Sequence, residues 1–375
     1  MATRDIFLET CRFGRPARAF RWEVCAAWQT TIERWRSEGL PEGVGLEEHF
    51  GMDWHAGFLN FQGETGIATG FTSSPYMPPF PVEVLGEDEH TQTVRNADGI
   101  VMRSMKVRPE TSMPQFLEFP VRNRADWRHV RDEHLQLRPE LRFPADWSAL
   151  EQRFRERDFP LGMPITGAFG HPRNLMGDDR LLVTYYDDPR LIHEIQEHWV
   201  ELYCRMVDEI TAHLSLDYVL LWEDMAFKTA PLISPALFRE FMLPYYKRVV
   251  SHIRSKGIEL VFVDTDGNFE VLIPLFLEAG INGFFPFERA AGMDPVRLRR
   301  EWGHAFCTFG GIDKREIARD RDAITRAIDA TVPALLEHGG YVPMLDHSAP
   351  PDIPLDNVRT MIERVRYWSQ KLYGA

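Results

Sequence analysis

The stretch ELVFVDTDGNF, residues 259–269, decides the fold class because it runs from a buried strand straight into a pair of acids. Its apolar part is typical of a strand that is covered on both faces, and it ends at Asp264 and Asp266. Asp266 can simply cap a helix that begins near residue 268. Asp264 is still on the strand, where a carboxylate must be neutralised, paired or bound to a metal. The stretch therefore predicts either a helix cap or a chemical site at a strand end.

The same pattern of a strand followed by a helix repeats along the chain from about residue 160. Apolar strands alternate with amphipathic helices, and this alternation is typical of a parallel sheet with both faces covered. The predicted strands are 163–170, 217–223, 258–263, 282–286, 305–309 and 340–345. The predicted helices are 188–213, 234–256, 268–279, 294–302, 321–338 and 355–372.

Two features favour a closed (β/α)8 TIM barrel over an open sheet. Neither GxGxxG nor GxxxxGK[ST] follows any strand, so the nucleotide-binding fingerprints are missing from the sequence. Polar residues also end strand after strand, and in a barrel all these ends meet at one mouth. They are Glu223, Asp224, Asp264, Asp266, Glu288, Asp313, Asp346 and His347.

The first 160 residues are less regular, and we interpret them as the first barrel units plus insertions. Residues 80–107 have Asp98-Gly99 between two β-like runs, which predicts a hairpin. Together with surface helices, this insertion is expected to roof the C-terminal mouth of the barrel. Residues 161–375 hold the regular β/α units, so the whole chain 1–375 is predicted to be one domain.

Composition excludes several function classes. The formal charge is −13 and there is no long basic run, which argues against nucleic acid as a partner. No stretch approaches the roughly 18 apolar residues of a membrane helix. The four cysteines are scattered, which fits reduced thiols in a cytoplasmic enzyme.

The strand-end residues supply the candidate site. We expect catalytic roles for Asp264, Asp266, Glu223 and His347, because carboxyl and imidazole groups move protons and bind metals. The same four residues are the candidate ligands of a divalent metal. The candidate substrate-binding residues are Trp222, Asp224, Lys228, Phe287 and Glu288. For one of Glu223 and Asp224, the alternative is a salt bridge to a neighbouring loop, for example to Lys228. For Phe287 and its aromatic neighbours, the alternative is a place in the core.

Several motifs in order resemble the uroporphyrinogen decarboxylase superfamily over roughly residues 160–375. They are EDMAFKTAPLISPALFREFMLPYYKRV, VDTDGN, LIPLFLEAGINGFFPFE, GGIDKR and GGYVPMLDHSAPPDIPLDNVR. The resemblance implies a (β/α)8 barrel with its site at the C-terminal mouth. It also implies one of two activities, which are cofactor-independent decarboxylation of uroporphyrinogen and methyl transfer involving corrinoid proteins.

This chain departs from both branches of the family. The true decarboxylases carry an arginine-rich signature, RQAGRY, where this chain reads FRWEVCAAWQTTIERW. The corrinoid methyltransferases carry a zinc motif, His-x-Cys, where this chain has Asp264-Thr265-Asp266, and a further Cys after a later strand, where it has His347. Oxygen and nitrogen ligands remain, and such a set can hold zinc or a harder metal.

We therefore predict a methyltransferase that moves a methyl group from a small methylated substrate, such as an aryl methyl ether, to a corrinoid-binding protein. The substrate is expected to bind beneath the 70–120 insertion, and the cofactor is a divalent metal, with zinc as the expected ion. The alternative is a decarboxylase or related lyase without a cofactor, in which Asp266 or His347 donates a proton. A binding protein without catalysis is a third class. The resemblance suggests a monomer or homodimer.

Overall fold

The computed structural model describes residues 1–58, 66–107 and 113–374. Part of the predicted roof, residues 108–112, lies outside the described residues. The strands are β1 Glu83–Glu87, β2 Thr91–Arg95, β3 Val101–Met105, β4 Gln115–Glu118, β5 Gly162–Thr166, β6 Tyr218–Trp222, β7 Leu260–Asp264, β8 Gly283–Phe285, β9 Cys307–Phe309 and β10 Tyr341–Val342. The first eight helices are α1 Thr3–Cys11, α2 Gln29–Ser37, α3 Leu46–Phe50, α4 Arg124–His134, α5 Pro139–Arg142, α6 Ser148–Arg155, α7 Gly170–Met176 and α8 Asp178–Asp187. The next eight are α9 Pro189–Thr211, α10 Pro235–Phe241, α11 Leu243–Ser255, α12 Ile273–Glu278, α13 Pro295–Trp302, α14 Lys314–Ile317, α15 Arg321–His338 and α16 Leu355–Tyr373.

Strands β5 to β10 form one parallel sheet whose spatial order follows the sequence. Helices lie between successive strands, so each strand returns to the sheet by a crossover, as a barrel requires. The predicted positions of these strands are confirmed, although each strand is shorter than predicted. Beyond Phe285, Phe309 and Val342 the chain leaves the ladder to form the loops of the mouth.

Two extended segments, residues 21–27 and 52–58, close the barrel between β10 and β5. Residues 21–27 run parallel to the chain that follows β10, and residues 52–58 run parallel to the start of β5. The backbone bonds that join them run from Leu345 N to Glu23 O, from Asp53 N to Arg21 O and from Gly162 N to Ala56 O. Together with the six strands they make a (β/α)8 barrel, which confirms the predicted fold class.

The N-terminal helix α1 packs against the amino-terminal end of the barrel. Its Phe7 is fully buried in the barrel interior, and Arg4 pairs with Asp217 at the start of β6. The ring of Phe7 contacts the rings of Phe20, Phe58, Tyr218, Phe262 and Phe309. The interior is therefore a packed aromatic core at this end, and only the opposite end remains for a site.

The insertion before β5 is larger than the predicted hairpin. Strands β1 to β4 form an antiparallel sheet in sequence order, and the turn at Asp98-Gly99 joins β2 to β3 as predicted. Gly99 has a positive φ of 81°, which explains the glycine at this turn.

One predicted helix is divided in two. The pattern over 234–256 predicts a single helix, but the structure has α10 and α11 with a break at Met242. Pro244 lacks the backbone N–H that a continuous helix needs at this point, so the chain starts a second helix there. In the part of the chain that the structure describes, no helix is both long and apolar enough to cross a membrane.

Candidate functional site

Asp264 ends β7 with its side chain in the barrel interior. Leu260 and Phe262 belong to the interior cluster, and side chains alternate along a strand, so Asp264 faces the same way. It is 4% exposed, and its Oδ2 has no hydrogen-bond partner among the described residues. Burial raises the pKa of Asp264 well above its usual range, and the nearby carboxyl groups of Asp266 and Asp224 raise it further. The protonated form of Asp264 is therefore favoured relative to that of an exposed aspartate.

Asp266, Glu288 and His347 form a cluster from three different loops of the mouth, which we call the mouth cluster. One possible ligand atom from each residue lies within 4.8 Å of the other two. His347 Nε2 lies 3.2 Å from Asp266 Oδ2, and Glu288 Oε2 accepts a hydrogen bond of 2.8 Å from Gly267 N. Two of these residues follow β7 and β8, and the third follows β10, so the fold itself brings them together.

The charge of His347 depends on its contact with Asp266. Burial lowers the pKa of His347, but the hydrogen bond and the negative charge of Asp266 outweigh burial, so the pKa is raised overall. When the imidazole is protonated, the pair is an ion pair in which His347 Nε2–H donates to the Asp266 carboxylate. Asn268, and not Asp266, takes the capping position. Its Oδ1 accepts a hydrogen bond from Glu270 N at the start of the next turn.

The mouth cluster fits a divalent metal by its chemistry. Two carboxylates and one imidazole are the ligand types that zinc and harder divalent ions accept, and all three residues are half-buried rather than closed off. Of the predicted ligands, Asp266 and His347 come together. Glu288, predicted to bind substrate, joins them, and Asp264 and Glu223 lie outside this cluster.

Glu223 requires a correction of its predicted place. It follows β6 on the opposite face from Tyr218 and Leu220, so its side chain points behind the sheet, away from the mouth. There it is fully buried, and its oxygens accept hydrogen bonds from three backbone N–H groups. The donors are Ala168 N at 2.8 Å, Phe169 N at 2.7 Å and Gly170 N at 2.8 Å. Glu223 therefore anchors the start of α7 behind the sheet.

Asp224 and Trp222 lie near a cation that the sequence analysis missed. Arg173 of α7 donates to Asp224 Oδ2 at 2.6 Å, and its guanidinium lies 5.7 Å from the centre of the Trp222 ring. Lys228, the partner suggested for one of Glu223 and Asp224, is exposed instead. Asp224 has a positive φ of 45°, an unusual value for a residue with a side chain. In the sequence, the signal for Arg173 as a residue near the mouth was its position about one turn after the predicted strand 163–170.

Phe287 also differs from its predicted place. It is fully buried and its ring packs against Phe269 and Phe306, in the layer between the sheet and the helices. Phe287 therefore occupies the core position that was the alternative to a substrate-binding role.

Lys314 lies near the mouth cluster, with its Nζ 3.9 Å from Glu288 Oε1. It directly follows the strand-end motif GGID, which was its signal in the sequence.

Comparison with known proteins identifies the family to which this chain is similar. The family model for uroporphyrinogen decarboxylase (URO-D) matches residues 103–368. A uroporphyrinogen decarboxylase of Xanthomonas campestris pv. campestris (strain B100) is 25% identical over 386 residues, which cover 95% of this chain and 99% of that protein. The uroporphyrinogen decarboxylase of Syntrophotalea carbinolica is 24% identical over 273 residues, which cover 68% of this chain and 72% of that protein.

A solved structure has the same fold over nearly its whole length. A methyltransferase from Methanosarcina mazei superposes with a TM-score of 0.59 at 14% identity, covering 98% of this chain and 99% of that chain. The likeness extends to the whole barrel, and the resemblance that the sequence motifs indicated is confirmed. Because the family model spans well over half of the chain, this protein belongs to the uroporphyrinogen decarboxylase family.

Proposed function

We propose that this barrel is a methyltransferase that removes a methyl group from a small methylated substrate and passes it to a corrinoid protein. The observation that carries the proposal is the mouth cluster, in which Asp266, Glu288 and His347 each offer a ligand atom within 4.8 Å of the others. The absence of the arginine-rich signature RQAGRY from the sequence supports it, because a substrate with many carboxylates needs several cations to bind it.

The mouth cluster is where a divalent ion would bind. Such an ion supplies Lewis-acid chemistry, which makes the oxygen of a methylated substrate a better leaving group. His347 would hold the ion through a neutral ring nitrogen, so protonation of the imidazole, which favours its contact with Asp266, would weaken metal binding. Lys314, near Glu288, offsets part of the negative charge of the two carboxylates.

Asp264 supplies the proton that the reaction needs. When the methyl group moves to the acceptor, the substrate oxygen keeps the electron pair of the broken bond and takes up a proton. Asp264 is buried, burial raises its pKa well above the usual range, and its Oδ2 is without a partner among the described residues, so it can serve as the donor.

The metal proposal is tested by elemental analysis of protein purified without a chelator. We expect about one divalent ion per chain in the wild type, and a large loss in Asp266→Asn, Glu288→Gln and His347→Gln. The matched control is Asp313→Asn, which removes a strand-end carboxylate but keeps a side chain that caps α14. Wild-type protein that holds no metal and keeps full activity in EDTA would contradict the proposal.

The reaction is tested with a panel of methylated compounds and free cob(I)alamin as the acceptor. We expect methylcobalamin to form, and we expect Asp266→Asn to reduce its rate by roughly 10²-fold or more, since the variant loses a charge but little volume.

Decarboxylation is the second candidate, and one observation favours it. Asp264 and His347 lie in the same mouth and both have a raised pKa, and a carbanion left by loss of CO2 needs a proton donor of this kind. This reaction would continue in EDTA and would release CO2 from a carboxylated substrate, so the same two assays separate the candidates.

A further inference from the structure

Lys314 is a half-buried cation beside the mouth cluster, and its amine has no close partner. Its Nζ lies 3.9 Å from Glu288 Oε1, which is too long for a hydrogen bond, and Nζ makes no hydrogen bond among the described residues. The side chain is 23% exposed, and Nζ does not belong to the polar atoms that the protein encloses, so a ligand in the mouth can reach it. An ammonium group that has lost part of its hydration is stabilised by an anion in contact with it.

The backbone of Lys314 is tied to the loop that carries His347. Asp346, which precedes His347, is buried, and its Oδ1 accepts a hydrogen bond of 3.0 Å from Lys314 N. Its Oδ2 accepts one of 2.9 Å from Arg289 N, directly after Glu288 in the chain. One buried carboxylate thus joins the loops that follow β8, β9 and β10, and this junction places Lys314 next to two members of the mouth cluster.

A buried thiol shows that Lys314 also lies near Asp264. Cys25 belongs to the closing segment 21–27 and is buried in the barrel interior. Burial and, to a lesser degree, the charge of Asp264 raise the pKa of the Cys25 thiol to about 12, whereas the charge of Lys314 lowers it. Both side chains are therefore close enough to Cys25 for their charges to act there. The amine of Lys314 thus lies near the mouth cluster and also near the proposed proton donor.

Two further acids beside Lys314 are engaged by other groups. Asp313, the preceding residue, forms an ion pair of two hydrogen bonds with Arg315, at 2.9 Å and 2.7 Å. Both oxygens of Asp346 accept hydrogen bonds from backbone N–H groups. Neither carboxylate is therefore free to move to the amine of Lys314 without losing the contacts that it makes now.

A divalent ion at the mouth cluster would leave the charge of Lys314 unbalanced. Asp266 and Glu288 together carry two negative charges, and His347 would bind the ion as a neutral ligand. The loaded cluster would therefore have no net charge, and Lys314 would add one positive charge beside it. A single carboxylate balances this charge, and a hydrogen bond between two charged groups is roughly twice as strong as one between neutral groups.

We propose that Lys314 binds the carboxylate of the methylated substrate, and that this substrate is a compact monocarboxylate whose methylated oxygen lies next to the carboxylate. This inference rests on the proposed function and deepens it by naming the substrate class and a residue that selects it. The compact shape follows from the 3.9 Å between Lys314 Nζ and Glu288 Oε1, since a ligand held by the amine lies beside the mouth cluster.

Isothermal titration calorimetry in a buffer that contains zinc compares three compounds. In 2-methoxybenzoate the methyl ether and the carboxylate occupy adjacent ring carbons. Its amide, 2-methoxybenzamide, has a neutral group of similar size, and 4-methoxybenzoate has the methyl ether on the opposite side of the ring. We expect 2-methoxybenzoate to bind on the order of tenfold more tightly than the other two, because it alone presents a charge to Lys314 and an oxygen to the mouth cluster.

Variants of Lys314 identify the contact. Lys314→Met keeps much of the length of the side chain but removes its charge, so we expect it to weaken the binding of 2-methoxybenzoate on the order of tenfold and to leave that of 2-methoxybenzamide nearly unchanged. Lys314→Arg restores the charge and should recover part of the affinity. The matched control is Arg315→Met, which removes the neighbouring cation and should bind 2-methoxybenzoate as the wild type does, because Arg315 is paired with Asp313. Melting temperatures and zinc contents show that the fold and the mouth cluster are intact.

The outcomes separate this inference from the proposed function. Binding of 2-methoxybenzoate that depends on Lys314, in a protein that transfers no methyl group, would support the inference and contradict only the proposed reaction. Methyl transfer from neutral ethers that is the same in Lys314→Met would overturn the inference and leave the proposed function standing. The inference is also wrong if the wild type does not bind 2-methoxybenzoate, if it binds the amide as tightly, or if Arg315→Met loses as much affinity as Lys314→Met.

Discussion

Asp264 and Glu223 are carboxyl groups at the ends of neighbouring strands, and the pleat of the sheet gives them different surroundings. Asp264 faces the barrel interior, and its Oδ2 has no partner among the described residues. Glu223 points behind the sheet, where three backbone N–H groups bind it. A shift of one position along a strand moves a side chain to the other face, so adjacent acids in a sequence can have unrelated tasks.

The first prediction concerns the pH dependence of stability through Glu223. Burial raises the pKa of Glu223 to about 8, even though the three hydrogen bonds lower it. Between the unfolded pKa near 4.3 and the folded value, the unfolded chain releases a proton that the folded chain keeps. The stability due to this group is therefore full below the unfolded pKa and is lost as pH rises through the folded pKa, by at most about 1.4 kcal/mol per pH unit.

Urea unfolding at pH 5.5, 7 and 8.5 measures this effect in the wild type and in Glu223→Gln. The variant should be less stable at pH 5.5 by about 1–3 kcal/mol, since an amide N–H₂ faces backbone donors, and the difference should shrink at higher pH. Glu259→Gln, at an exposed carboxylate paired with Arg12, is the control and should follow the wild type. A constant difference across the three pH values would contradict the prediction.

At the scale of elements, the loops after the strands set the geometry of the mouth. Polar residues at strand ends were predictable from the sequence because the apolar runs stop there. Their partners were not, because Arg173 reaches Asp224 and Glu288 reaches Gly267 from other β/α units. Such contacts depend on how loops of different units meet, and no local pattern encodes that.

The second prediction concerns Gly267, which lies between Asp266 and Asn268 in the loop after β7. Its φ is +76°, and an added Cβ would lie 2.4 Å from Ala226 O and 2.6 Å from Phe227 O. Gly267→Ala should therefore lower the free energy of unfolding by roughly 2–5 kcal/mol, through the left-handed backbone and the clash together. Because the loop must shift, the mouth cluster should also lose affinity for zinc, as measured by competition with a chelator.

Gly257→Ala is the matched control for Gly267→Ala. Gly257 has a similar φ of +81°, but no atom lies within 4 Å of the position that an added Cβ would take. This variant should lose only the roughly 1–2 kcal/mol of the left-handed backbone and should keep its zinc affinity. Equal losses in the two variants would mean that the contact with residues 226 and 227 does not hold the loop.

At the scale of the whole molecule, the sequence predicted the regular part of the barrel better than its closure. Residues 160–375 alternate clearly, and their order predicted a closed barrel with one mouth. The closing segments, residues 21–27 and 52–58, lack the repeating apolar pattern and pair only through a few backbone bonds. The burial of His55 was likewise not predictable, because a buried histidine without a partner among the described residues is recognised only from its surroundings.

The last prediction concerns how α1 supports the barrel from the end opposite the site. Phe7 is fully buried and its ring touches five other aromatic rings of the interior, so Phe7→Ala leaves a cavity in the centre of the barrel. We expect a loss of about 3–5 kcal/mol in the free energy of unfolding, and a smaller loss for Phe7→Leu, which refills part of the cavity. Zinc content should stay near that of the wild type in both variants, because the mouth cluster is built by loops at the far end of the strands. If Phe7→Ala lost its metal while it stayed folded, the two ends of the barrel would be coupled, and the packed aromatic core between them would be the path of that coupling.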